Sequence, residues 1–373
     1  MTGPLSPRGR ALARAAADLF GERGYGAVGM DDIAAAVGTT GPSVYRHFDT
    51  KYDVLRTVHL DAARRLTRSV QVDTPATLDT VAAGAVAVRR SLGTLRRDRR
   101  NLNEHDRAAV DAALGSVRRA VERRVASARP DVETSALQDV TTSLLSMMSS
   151  IGTHRTSLAA GTTVHLLDDA ASRILATPLP RRPGDVTPTA RGIGAVGKRE
   201  ALVRSATHLF ATQDASDVTM ADIASSVDLA PSSVYRYFGS KAAVLAEACL
   251  GAAQRNAETT AHVLSNTDDP VQAVRTLVAL RTLDASRSPG LRVMRSHVHQ
   301  HDPEIRRRLA HMIRQDHAEW VHLVRLVDPR PRRAEASFLV EAAFTVIDDL
   351  SGTTDAATVS TIVDALLDVG SQQ

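Results

Sequence analysis

Hydrophobic positions in this chain fall at helical spacing, beginning with Leu12, Ala16, Leu19 and Phe20 on one face of an amphipathic helix from Arg8 to about Glu22. Gly24, Gly26 and Gly29 break it. A short helix, Met30 to Val37, turns Ile33, Ala34 and Val37 inward and places Asp31 and Asp32 at the positive end of its dipole. Gly38 suits a left-handed stop, Thr40 an N-cap, and Pro42 is tolerated in a first turn. The helix that follows is short, Gly41 to Phe48, with Val44 and Phe48 inward. Asp49-Thr50-Lys51 then opens a long helix to Val70. Further helices are predicted at Thr77–Arg97, Glu104–Ala128, Leu137–Ile151 and Thr163–Ala176.

The pattern then returns. Ser43-Val44-Tyr45-Arg46-His47-Phe48 with Lys51 recurs 190 residues later as Ser233-Val234-Tyr235-Arg236-Tyr237-Phe238 with Lys241. The same offset relates Leu12 to Leu202, Phe20 to Phe210, Met30 to Met220, Asp32 to Asp222, Ile33 to Ile223 and Leu55 to Leu245. A constant offset over about 45 positions marks a duplicated domain rather than a solenoid. Residues 177–197 hold four Pro and four Gly without apolar periodicity, as a linker does. The second half closes, like the first, on a helical pair, Ala334–Leu350 and Ala356–Val369. The expected division is 1–57, 58–176, linker 177–197, 198–247 and 248–373, all of it α-helical.

Composition narrows the class. In 373 residues, 43% are hydrophobic but only 3% aromatic, so the cores must be built from Ala, Leu and Val, which favours helix. No apolar run suits a membrane span and no secretory signal opens the chain, so a soluble cytoplasmic protein is expected. One cysteine, Cys249, excludes an internal disulfide framework. The formal charge of +4 is carried almost wholly by Arg; Lys stands only at 51, 198 and 241. Two of those lie at matching repeat positions, as a point charge gripping phosphate would.

Helix, three-residue turn and short helix, braced by a preceding amphipathic helix, is the helix-turn-helix layout. Met-Asp-Asp-Ile-Ala-Ala-Ala-Val-Gly followed by Ser-Val-Tyr-Arg-His-Phe-x-x-Lys-x-x-Val-Leu resembles the DNA-binding domain of the TetR family, and does so twice. The resemblance implies two TetR-like units fused in one chain, forming an intramolecular pseudo-dimer, with further self-association left open. It implies a regulator, foremost a repressor, that binds a double-stranded DNA operator and is released by an unidentified small-molecule effector. The following helices would form effector-binding and dimerisation regions, the last two of each half packing with their counterparts as a four-helix bundle. Mapped by position, Thr40, Gly41, Pro42, Ser43 and His47 face the groove in the first copy, and Ala230, Pro231, Ser232, Ser233 and Tyr237 in the second. Tyr45, Tyr235, Lys51 and Lys241 would grip phosphates.

The copies depart from the family pattern. Thr219 precedes the second motif where Gly29 precedes the first, Asp228 replaces the turn glycine, and Ala230 caps less well than Thr40. The two readers are therefore expected to differ. The competing reading is a small-molecule-binding or interaction protein with decayed DNA reading; retention of both Tyr and both Lys opposes it. The Arg clusters, such as Arg96–Arg97 and Arg306–Arg308, read as a solvated face rather than a pocket for an anionic acyl thioester. His297-x-His299-x-His301, with His311 and His317, lacks the companions of a metal site. No metal, cofactor or enzymatic constellation is expected.

Overall fold

The computed structural model describes residues 5–70, 78–152, 158–180, 197–213 and 217–369, without the side chains of residues 96, 97 and 299. Most of the expected linker, the polar loop between the last two helices of the first half and the start of the N-terminal arm lie outside the described residues. The chain divides into two compact units, Met1–Ala176 and Thr177–Gln373. Among the described residues both are helical without a strand, apart from a single bridge between Ser351 and Thr354. No helix among them is long and apolar enough to cross a membrane.

In the first unit, α1 (Pro7–Arg23) starts where the Ser6 hydroxyl accepts the Gly9 N–H at 3.0 Å, a cap worth about 1 kcal/mol. It buries Leu12, Ala16 and Phe20 and stops at Gly24, whose φ of 83° suits glycine. Then come α2 (Met30–Ala36), α3 (Gly41–Tyr45) and α4 (Lys51–Val70). At the head of α4, Thr50 and Asp53 cap each other: Asp53 N–H donates to the Thr50 hydroxyl at 3.1 Å and Thr50 N–H to Asp53 at 3.0 Å. Helix α4 runs without interruption out of the helix-turn-helix and packs chiefly on α7 (Glu104–Ala128). The unit is completed by α5 (Leu78–Ala87), α6 (Arg89–Asp98), α8 (Thr134–Ser150) and α9 (Ala160–Ala176).

Two expectations are corrected here. The single helix over Thr77–Arg97 is two, broken at Val88, whose N–H is shared between the carbonyls of Gly84 and Ala85. The break lets α6 pack on both α1 and α8. Gly93 of α6 there lies against the backbone of Gly152, where a Cβ would stand 2.4 Å from the Gly152 carbonyl oxygen. The recognition helix is also shorter than expected and ends at Tyr45 rather than Phe48.

The second unit follows the same order: α10 (Lys198–Thr212), α11 (Met220–Ser225), α12 (Pro231–Val234) and the long α13 (Lys241–Ser265). Helices α14 (Pro270–Arg287), α15 (Gly290–His297), α16 (Pro303–Val327), α17 (Arg333–Leu350) and α18 (Ala356–Leu367) complete it. Its helix-turn-helix shares one continuous core with the helices behind. Val234 and Phe238, beneath the recognition helix, belong to the same buried cluster as Cys249, Ala253, Met294 and Leu309. Burial pushes the Cys249 thiol up to about 12.

Candidate nucleic-acid interface

The two motifs are held by the same few contacts. In the first, Gly38 takes φ 64° and the Thr39 N–H donates back to Ala34 at 2.9 Å, closing α2. In the second, Asp228 takes φ 55° and Leu229 N–H donates to Ala224 at 3.0 Å. The left-handed turn therefore survives the loss of its glycine. Val44 and Val234 are fully buried and Phe48 and Phe238 nearly so, which turns the intervening residues outward.

Tyr45 and Tyr235 are 53% and 57% exposed, too open to be packing residues. Thr40, Pro42, Arg46, Ala230, Pro231, Ser232 and Arg236 are exposed beside them, while Ser43, His47, Ser233 and Tyr237 are half-buried. Gly41 is buried: a Cβ there would lie 2.3 Å from an Asp31 carboxylate oxygen, so its part is close backbone approach. Thr40 occupies the N-cap position of α3, but its hydroxyl makes no capping bond, contrary to expectation.

The other sites differ between copies. Lys51 Nζ donates to the Tyr25 carbonyl at 3.1 Å and lies 4.4 Å from the centre of the Tyr25 ring. The repeat places Ala215, outside the described residues, where the first copy has Tyr25. Lys241 sits half-buried at the start of α13, just after Ser240, whose hydroxyl accepts Ala243 N–H at 3.2 Å. Thr219 forms a full capping box: its hydroxyl accepts Asp222 N–H at 3.1 Å, and its N–H donates to Asp222 at 2.8 Å. The Thr219 hydroxyl and N–H hold the Asp222 carboxyl below its ordinary range. Gly29 keeps only the backbone half, its N–H donating to Asp32 at 2.7 Å.

Arg199 escaped the sequence reading. It donates to the Tyr237 carbonyl at 2.8 Å, stacks 4.4 Å from the centre of the Phe238 ring and pairs with Glu247 at 2.8 Å. It thereby pins the end of the second recognition helix to α10 and α13. The first copy has Gly9 at that position and instead sets Ser6 Oγ 3.4 Å from His47 Nδ1. The signal was available: the duplication exchanges Gly9 for Arg199, one of its large changes in side-chain size.

Away from the motif, a cavity of about 190 Å³ opens in the second unit among α13 to α17. Arg281 lies in its wall at 5% exposure, donating to Asp316 at 3.1 Å and Asn256 at 3.4 Å, its guanidinium 3.6 Å from the centre of the Phe344 ring. Arg295 pairs with Glu341 at 2.9 Å and Asp348 at 3.6 Å. His317 Nε2 donates to the Ser337 carbonyl at 3.2 Å.

Among the described side chains the histidines do not converge. His297 is buried with Nδ1 donating to the Val293 carbonyl at 3.0 Å, and burial, then His297, push the His301 imidazole down. Among the described residues no three His, Cys, Asp or Glu side chains gather as metal ligands. Arginines of the clusters meet acids at the surface, as Arg99 meets Asp111 at 2.7 Å and Arg330 meets Asp328 and Asp368, each at 2.8 Å.

A family model described as bacterial regulatory proteins, tetR family, matches residues 12–58 and again 202–248. The HTH-type transcriptional activator FasR of Mycolicibacterium smegmatis is 30% identical over 181 residues, 45% of this chain and 72% of that protein. A TetR-family transcriptional regulator from Bordetella parapertussis 12822 is 22% identical, covering 47% of this chain and 96% of its own, with a TM-score of 0.43. AibR, solved with isovaleryl coenzyme A and operator DNA, is 20% identical over 43% of this chain and 96% of its own, with a TM-score of 0.36.

Proposed function

The chain belongs to the tetR family of bacterial regulatory proteins, and on that premise we propose that it is a tandem repressor whose two motifs read one operator until a small molecule releases them. It is a transcriptional regulator and not an enzyme. The observation that carries the proposal is the doubled motif itself, with Tyr45 and Tyr235 exposed over buried Val44 and Val234. A family member ordinarily supplies one motif per subunit; here both lie in one chain, so the chain acts as its own dimer. Tyr45, Tyr235, Lys51 and Lys241 grip phosphates, which fixes register without reading sequence. Thr40, Pro42, Ser43 and His47 read one half-site and Pro231, Ser232, Ser233 and Tyr237 the other.

The effector enters the cavity of the second unit. Its wall residues Ala253 and Met294 belong to the buried cluster that also holds Val234 and Phe238, so a ligand that moves the wall moves the base of the reader. Such a ligand acts only through its different affinity for the two states. A gel shift against the DNA upstream of the chain's own gene, between roughly 50 and 200 mM salt, tests DNA binding. The expected result is a shifted band that weakens steeply with salt; no band at any salt removes the proposal.

Activation is the second reading, favoured by the Mycolicibacterium smegmatis relative, which is named an activator. Run-off transcription from the same DNA separates the two. Less transcript on adding the chain supports repression, and more supports activation.

A further inference from the structure

The cavity of the second unit has two unlike sides. Along α13 it is lined by Ala253, Ala257, Ala261 and Leu264, with Asn256 and Thr260 among them. From the other helices come Asp316, Glu319 and Glu341, facing two guanidinium groups, Arg281 and Arg295, and His317, whose Nε2 lies 3.6 Å from Glu341. Asp348, largely buried, also leans on Arg295. Asp316 gives one carboxylate oxygen to Arg281, while the other, Oδ1, is buried without a donor. A buried acceptor in that state calls for a hydrogen-bond donor. With carboxylates outnumbering guanidinium groups, the donor that fits is a cation, and an anion is repelled. Arg281 Nε and Arg295 Nη1 also lack hydrogen-bond partners, but the charge of Arg281 is already balanced by Asp316 and that of Arg295 by Glu341 and Asp348; what they lack is an acceptor, not an anion.

Size sets a further limit. An engineered apolar cavity of about 150 Å³ holds benzene. The space here, about 190 Å³, takes one ring or short hydrocarbon with a polar head.

We propose that this cavity binds a small apolar amine, its ammonium donating to Asp316 Oδ1 and its hydrocarbon body lying along α13. The proposal rests on the cavity being the effector site and adds the ligand's class, so its test is binding in the absence of DNA. The protein carries its own reporter. Trp320, the only tryptophan, is buried with its ring edge-on to Phe344 at 5.1 Å, and Phe344 lines the cavity.

The purified full chain is titrated with 2-phenylethylamine, 2-phenylethanol and phenylacetate, which carry the same phenyl group on an ammonium, a hydroxyl or a carboxylate, while Trp320 emission is followed. The amine is expected to give a saturable change at a concentration at least about tenfold below the alcohol, a gap worth about 1.4 kcal/mol. Phenylacetate is expected to give none. Asp316→Asn should weaken the amine about tenfold or more and leave the alcohol unchanged. Ala257→Leu, at an exposed position on the cavity wall, should weaken amine and alcohol together without moving the melting temperature. Phenylacetate binding as well as the amine, alcohol equal to amine, silence from all three, or a D316N protein that binds the amine like the parent overturns the proposal. Should D316N fail to fold, the order of the three probes and the A257L protein decide. Operator binding without amine is measured separately, and its persistence would confine any failure to the ligand assignment.

Discussion

Tyr52 donates a 2.6 Å hydrogen bond to the buried Asp106, and by that bond the helix that leaves the first recognition helix is fastened to α7. Arg56 reaches the other carboxylate oxygen at 2.8 Å, and the Tyr52 oxygen accepts Asn103 N–H at 3.1 Å. Burial alone would raise the Asp106 pKa, but the bonds from Tyr52 and Arg56 and the charge of Arg56 together hold it below the ordinary range. A carboxyl depressed in the folded state contributes stability above its unfolded pKa, roughly 4, and loses it as pH falls through the lower folded value. Asp106→Asn should therefore destabilise the first unit by about 1–3 kcal/mol at neutral pH. Tyr52→Phe should cost about 1 kcal/mol. Thermal melts of parent and D106N at neutral and strongly acidic pH check this; a gap that stays constant down to roughly pH 2 would contradict the assignment.

That tie marks where sequence reading stopped. Apolar periodicity located the helices and the duplication located both motifs, because Val44, Phe48 and their partners keep helical spacing at a constant offset. Asp106 and Arg281 were legible in principle. Asp106 stands four residues before Val110 on the buried face of α7, and Arg281 three and four after Val278 and Leu277 on that of α14. A charge on an apolar stripe means a buried partner, but the partners Tyr52 and Asp316 come from other helices and only packing reveals them. The break at Val88 carried no Gly or Pro to announce it.

Asp228 holds a left-handed backbone at φ 55° where the first copy has Gly38 at φ 64°. Asp tolerates this region better than most residues, yet glycine adopts it without a Cβ penalty. Asp228→Gly should raise the stability of the second unit by up to about 1 kcal/mol. It also removes a carboxylate beside the recognition helix, so DNA binding should tighten. Melting temperature and gel shift are read on the same preparation; a less stable variant would show that Asp228 makes a contact that outweighs its strain.

Lys51 and Lys241 flank the two motifs, the first braced by the Tyr25 carbonyl and ring. Replacing both by Ala should weaken binding to every DNA sequence alike. The plot of log affinity against log salt should flatten by roughly one to two units, one for each phosphate released. An unchanged slope in a variant that still melts normally would mean that neither lysine touches a phosphate.

The two readers present different surfaces, and this bears on the operator. A homodimeric regulator reads a palindrome because its recognition helices are identical, with half-sites about one helical turn or a multiple apart. Here Thr40 is matched by Ala230, Pro42 by Ser232 and half-buried His47 by half-buried Tyr237, while buried Gly41 is matched by exposed Pro231. Of the residues between and beside the buried Val44 and Phe48, Ser43, Tyr45 and Arg46 recur unchanged as Ser233, Tyr235 and Arg236. The shared residues include both tyrosines assigned to phosphate, and the exchanged ones are all assigned to bases, where only the Ser43 and Ser233 pair is kept, so grip is duplicated and most of the reading is not. One chain should therefore prefer an operator whose half-sites differ, and its complex should hold one chain per site. Selection from random DNA gives the operator, and sedimentation gives the mass of the complex. His47→Tyr should then change base preference in one half-site and leave the other untouched. A perfect palindrome bound by two chains, each through the same motif, would refute the self-dimer and leave the remaining motif without a reading role.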